Sequence, residues 1–200
     1  MLEICSNFYS VISNPFKERE ANEKLDYFEL MGLSWLFHFV YAFYSVLTVY
    51  LGLLTYDYVS TNTTITKMVY SSFNLALQKY TLIIGISEAI LYPVVFHFSY
   101  RFWVFLLQFY SQIFNLENDF EENSECILTA IYASNVYLVI PVLGKLISFI
   151  AQGFLLYKGL LRKLDFSNLQ AVLVLLTPFF LIFLFTMLVI AYFIFLFSLI

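Results

Sequence analysis

AVLVLLTPFFLIFLFTMLVIAYFIFLFSLI, residues 171–200, carries no charged side chain over its whole length. Blocks such as Ile182–Phe185 and Ile194–Phe197 cannot be left facing water. About 20 apolar residues suffice to cross a bilayer as a helix. Only helices and closed barrels keep their backbone polar groups satisfied in hydrocarbon. The chain is therefore expected to be an all-α integral membrane protein.

Composition points the same way. The hydrophobic share is 62% and the charged share 12%, against roughly 45–50% and 25% in soluble domains. Twenty-four Phe and 16 Tyr suit lipid-facing and interfacial positions. The net charge of −4 decides nothing, because the charges are confined to a few islands. There is no basic run, so nucleic-acid binding is unsupported. Cys5 and Cys126 lie far apart and stand in no metal-ligand spacing. No basic and apolar stretch precedes Cys5, so a cleaved leader is not expected there, and the first span is expected to serve as an uncleaved insertion signal.

Working back from the C-terminus, the pattern divides into a polar entry at 1–29 and a membrane domain at 30–200. Five spans are expected, at about 31–55, 81–115, 127–140, 145–161 and 170–200. In the entry, Phe8, Val11, Ile12 and Phe16 are spaced as one face of a short helix, interrupted at Asn14-Pro15. Such a helix suits the membrane surface. Residues 56–80, including Asp57, Asn62, Thr63, Thr64, Lys67 and Lys79, read as a polar loop, and Glu117 to Glu125 as an acidic one. Residues 81–115 would extend about 52 Å as one helix, against a hydrocarbon core of about 30 Å. Either Arg101 divides two spans, or one helix kinked at Pro93 runs on past the interface. The polar stripe His97, Arg101, Gln108, Gln112 and Asn115 favours one helix. Counting Lys and Arg near span ends places the N-terminus in the cytoplasm and the C-terminus across the membrane.

Ionisable residues inside such spans are functional candidates by default. Glu88 stands roughly two turns inside the second span, and Lys145, at the turn between the third and fourth spans, is the cation able to approach it. His97 and Arg101 share a helix face, which His38 of the first span is placed to meet. A transported proton or solute is one use of such a set. Hydrogen bonding between helices is the commoner one. Small and weakly polar residues, Gly144, Ser148, Ala151, Gln152 and Gly159, gather on one side of the fourth span as a helix-packing face.

No catalytic pattern accompanies the spans: Gly-x-Ser-x-Gly, His-Glu-x-x-His and a Gly-rich phosphate loop are all missing. No catalytic residue, cofactor or metal is expected.

Residues 127–178 resemble the Yip1 domain family of multispanning membrane proteins. Tyr132-Ala133-Ser134, Ile140-Pro141, Gly144, Tyr157, Gly159-Leu160, Asp165-Phe166-Ser167, Ala171 and Pro178 carry the resemblance. Asn14-Pro15-Phe16 resembles the Pro-plus-aromatic element that precedes the first span in that family. The resemblance implies five spans and a cytoplasmic N-terminus. It also implies, for eukaryotic members, small-GTPase binding in traffic between endoplasmic reticulum and Golgi. The family's Asp-Leu-Tyr-Gly-Pro motif is missing here, which argues against GTPase binding and toward the compact bacterial type. The expected location is the cytoplasmic membrane in a bacterium, or the endoplasmic reticulum or Golgi in a eukaryote.

The function expected is that of a non-enzymatic interaction or membrane-organising component. Its partners would be the bilayer and a membrane protein or a second copy of itself, met through the N-terminal segment and residues 117–125. The alternative is a small transporter or permease subunit using Glu88, His97 and Arg101 as a polar path.

Overall fold

The computed structural model describes residues 2–17, 24–60, 75–116 and 120–198. Asn62, Thr63, Thr64, Lys67, Glu117 and Asp119, and the side chains of Asp57 and Lys79, lie outside the described part. Among the described residues six α-helices and one 3₁₀ helix follow in order: α1 (Leu2–Ser13), α2 (Tyr27–Ser60), α3 (Leu75–Ile113), α4 (Phe120–Ala133), the 3₁₀ helix (Ser134–Val139), α5 (Gly144–Lys163) and α6 (Asn168–Ser198).

The helix boundaries are written locally. At the start of α2 the Asp26 amide donates to the Glu29 carboxylate at 3.1 Å, the reach-back half of a capping box. Ser167 and Gln170 form the full box at α6: the Ser167 amide donates to Gln170 at 2.8 Å. In return, the Gln170 amide donates to the Ser167 hydroxyl at 3.4 Å. α3 ends on Asn115 in the left-handed region (φ 51°). The Leu116 amide donates to the Ser111 carbonyl and the Asn115 amide to Gln112, the bond pair of a Schellman stop. Glu121 and Glu122 open α4, where negative charge favours a helix N-terminus.

Residues 75–113 form one helix running straight through Arg101, so the single-helix alternative holds. Pro93 sits inside it and cannot donate to the Ala89 carbonyl. That carbonyl accepts instead from the Trp35 indole Nε1 of α2 at 2.7 Å. A proline inside an apolar helix is tolerated because a neighbouring helix replaces the missing donor. Tyr27 meets His97 while Trp35 meets Ala89, so α2 and α3 are antiparallel. α4 and the 3₁₀ helix turn back on α5 as a second antiparallel pair, joined at the tip by Ile140–Leu143. There Val142 holds φ 65° and the Leu143 amide donates to the Pro141 carbonyl at 2.7 Å, a tight three-residue turn.

The fully buried side chains Val11, Leu30, Phe96, Leu107, Ile127, Leu128, Leu160 and Val174 come from all six α-helices. The core is thus one cluster. α1 belongs to it: Phe8 and Val11 are buried, and Phe8 lies 5.5 Å from the Phe37 ring. The amphipathic helix expected at the membrane surface turns its apolar face to protein. α6 is the opposite case. Ala171 and Val174 are buried, and beyond them the helix leaves the bundle with no buried residue.

The five-span expectation is corrected. Among the described residues three helices are long and apolar enough to cross a membrane: Tyr27–Gly52, Ile83–Ile113 and Asn168–Ser198. The expected third span fails on length. α4 has 14 residues, about 21 Å, and begins with Glu121, Glu122 and Glu125 before passing into a 3₁₀ segment. The expected fourth span fails on charge. α5 has 20 residues, but Lys145 at one end and Lys158, Arg162 and Lys163 at the other leave only 146–157 uncharged. Apolar stretches of that length are typical of buried or interfacial segments. The sidedness derived from counting charges over five spans falls with the count.

Candidate functional site

Two polar regions occupy the bundle. The first is buried between α2, α3, α5 and the 3₁₀ helix, and Asn135 is its hub. Asn135 is 3% exposed. Its Nδ2 donates to the Tyr92 hydroxyl at 2.9 Å, and its Oδ1 accepts from Gln152 Nε2 at 2.9 Å and from Ser148 Oγ at 3.3 Å. Ser34, also buried, donates to the Tyr132 carbonyl at 3.1 Å, and the Tyr132 hydroxyl donates to Ser99 at 2.8 Å. His38 stacks on Tyr92 with ring centroids 3.8 Å apart. Its Nδ1 lies 2.9 Å from the Ser34 carbonyl. A carbonyl only accepts, so that nitrogen carries the proton. These bonds tie α2, α3, α4, the 3₁₀ helix and α5 together, and buried polar groups require such partners.

The sequence-derived candidates are distributed around this network. Glu88 and Lys145 do meet: Nζ lies 2.9 and 2.8 Å from the two carboxylate oxygens. The pair is partly open, with side chains 36% and 57% exposed. Glu88 stands five residues into the apolar stretch that opens at Ile83, beside Ala89 and hence level with Trp35 of α2. His97 and Arg101 share an exposed face of α3, as their spacing requires. His97 Nδ1 shares a 2.9 Å hydrogen bond with the Tyr27 hydroxyl. His38 does not join them; it belongs to the Tyr92 side of the network. The five residues are therefore three separate arrangements, not one path.

The packing face on α5 turns inward. A Cβ on Gly144 would lie 2.6 Å from the Tyr137 carbonyl oxygen and 2.9 Å from Leu138 Cα. One on Gly159 would lie 2.8 Å from Ile127 and 3.1 Å from Phe16. Ser148 and Gln152 complete that face through Asn135. The small residues let α4 and α5 of one chain approach closely.

The second polar region lies at the end of the bundle where α2 starts and α5 stops. A cleft of about 440 Å³ is lined there by Lys17, Lys24, Asp26, Glu122, Glu125 and Lys163, with Tyr27 and Tyr100 behind them. Lys24 reaches across it to Glu122 at 2.7 Å. That hydrogen bond holds the Glu122 carboxyl below its usual range and the Lys24 ammonium above its own. Glu121, Glu122 and Glu125, expected in a loop, are on the first turns of α4 instead. Neither Cys5 nor Cys126 is in a disulfide. Among the described residues no group of His, Cys, Asp and Glu could hold a metal ion.

Sequence inspection missed Asn135, Ser34 and Tyr92. Asn135 left a trace, being the lone amide in the apolar run 127–143. Ser34 and Tyr92 look like ordinary members of aromatic helices and become visible only when five elements converge. No family model, curated protein or solved structure matches the chain.

Proposed function

We propose that this largely helical membrane protein is a non-enzymatic component acting through interaction with a membrane-protein partner or by organising the bilayer around it, as its resemblance to the Yip1 domain family implies. Long apolar helices fit it for a membrane environment. What favours interaction over transport is that Glu88 and His97 are each engaged by a different partner. Glu88 is held by Lys145 and His97 by Tyr27. A permeation path would need such groups to follow one another along a wet surface. The missing GTPase-binding motif keeps small GTPases out of this proposal.

The test uses the whole chain in sealed vesicles and in mild detergent. Glu88→Gln and Arg101→Ala are expected to leave proton and solute flux at the level of empty vesicles, while changing what copurifies from the native membrane. Flux above that level in the parent protein, abolished by Glu88→Gln, would make it a transporter instead.

A further inference from the structure

The α4–α5 hairpin starts and finishes at one end of the bundle. Glu122, on the first turn of α4, is bonded at 2.7 Å to Lys24, just ahead of α2. Glu122 and Lys163, the last residue of α5, line the same cleft. The tip lies well away from it. Lys145, the second residue of α5, holds Glu88 at 2.8 Å, and the next residue of α3, Ala89, accepts from Trp35 of α2. Trp35 is eight residues into α2, about 12 Å from its start. The apolar stretch of α2 continues to Gly52, about 25 Å further on. The hairpin therefore turns back part-way along helices long enough to cross a membrane.

The outward surface of the tip is apolar. Val142, Leu143, Leu146, Phe149 and Ile150 are each more than half exposed. α5 carries no charge between Lys145 and Lys158, and that run has the length of a re-entrant or interfacial segment. Further along the helix the Lys158 ammonium stands 5.6 Å from the centroid of the Phe154 ring. Aromatic and cationic residues gather where hydrocarbon gives way to headgroups. At the turn, the amides of Ile140, Leu143 and Gly144 donate to carbonyls within residues 137–141, and Pro141 has no amide to satisfy. The 3₁₀ helix before it buries Ser134, Asn135 and Leu138 in the bundle, a setting in which irregular backbone is tolerated at membrane depth. The Lys145 charge is met by Glu88, as charges at such depth require.

We propose that the α4–α5 hairpin is re-entrant: it enters the membrane from the side on which α2 starts, turns among the lipid acyl chains, and leaves on the same side. The proposal rests on the membrane reading above and gives its bilayer-organising part a form, because the hairpin adds cross-section to one leaflet only.

The whole chain, with Cys5 and Cys126 replaced by Ser, is reconstituted in sealed vesicles and treated from outside with a membrane-impermeant maleimide. Labels per molecule are counted by mass spectrometry, so mixed orientations do no harm. Glu121→Cys/Arg162→Cys should carry two labels or none, because both ends of the hairpin share a side. Glu121→Cys/Val142→Cys should be labelled at residue 121 alone until detergent is added. Leu146→Cys in place of Val142→Cys, which leaves the turn intact, should behave identically. Bimane attached at either tip position should be quenched more by lipids with a nitroxide on the acyl chain than by lipids with one on the headgroup. Label at Val142→Cys on molecules unlabelled at residue 121 would make the hairpin a pair of spans. Label at both on one molecule would leave the tip in water. Bimane shielded from every nitroxide lipid would mean that protein covers the tip. Each of these overturns the proposal. Leu184→Cys on α6 keeps the failures apart: its reaction without detergent sinks the membrane reading, whereas a reactive tip beside an unreactive Leu184→Cys sinks the hairpin proposal alone.

Discussion

The α4–α5 hairpin and the outer part of α6 face the same solvent problem and solve it oppositely. In the hairpin the buried polar groups find partners: Asn135 binds Tyr92, Gln152 and Ser148, and Gly144 lets two backbones touch. In α6 beyond Val174 nothing is buried, although mean hydropathy reaches 2.9 there. Partial polarity forced the hairpin to build a specific interior. Uniform apolarity lets α6 leave its surface to whatever surrounds it, and hydrocarbon is as apolar as Leu. The apparent redundancy of three long helices therefore hides a division. α2 and α3 hold the folded unit, and α6 is held by it only at its start.

The sharpest way to break this contrast is at the glycines. Gly144→Ala would push a methyl group into the Tyr137 carbonyl oxygen, a backbone atom that cannot swing away. Thermal denaturation in detergent should show a loss of about 3 kcal/mol. Gly153→Ala, on the same helix with open space around it, should show none. Equal effects would mean the close approach is not real. A smaller contrast is expected between two leucines. Leu107→Ala, fully buried, should cost about 2 kcal/mol, low in the usual range because lipid offers the side chain nearly as apolar a home. Leu184→Ala, exposed on α6, should stay within about 0.5 kcal/mol. A large loss at Leu184 would reveal a packed partner face. Asn135→Leu removes the hub and leaves Tyr92 and Gln152 seeking partners, for about 1 kcal/mol. An unchanged midpoint would say that these bonds re-form elsewhere.

The smallest effect is electrostatic, at the Lys24–Glu122 pair. Glu122 is shifted down, so its contribution is complete above the ordinary carboxylate range and fades as pH falls through the lowered value. Lys24 is shifted up, so its contribution is complete below the ordinary lysine range and fades as pH rises through the raised value. Both side chains are well exposed, and the melting midpoint should be nearly flat between those limits. A steep change near neutral pH would require another titrating group.

Much of this was legible in the chain. The three long apolar helices followed from apolar run length, and the Glu88–Lys145 pairing from the scarcity of other cations nearby. The number of spans was not. The runs at 127–140 and 145–161 read as short spans by their apolar residues alone. Their character as a hairpin packed into one chain depends on Glu121, Glu122 and Glu125 beginning α4, on its early end at Ala133, and on Asn135 meeting Tyr92. The capping patterns Asp26-x-x-Glu29 and Ser167-x-x-Gln170 were readable and would have fixed two helix starts to the residue.

The account rests on α6 being surrounded by hydrocarbon. Nitroxide labels placed singly at residues 179–194 in reconstituted vesicles, with relaxation by oxygen and by a water-soluble nickel complex, measure this directly. The prediction is high oxygen and low nickel accessibility around the entire circumference of the helix. Nickel access along one face or all faces would put water where lipid is required and contradict it.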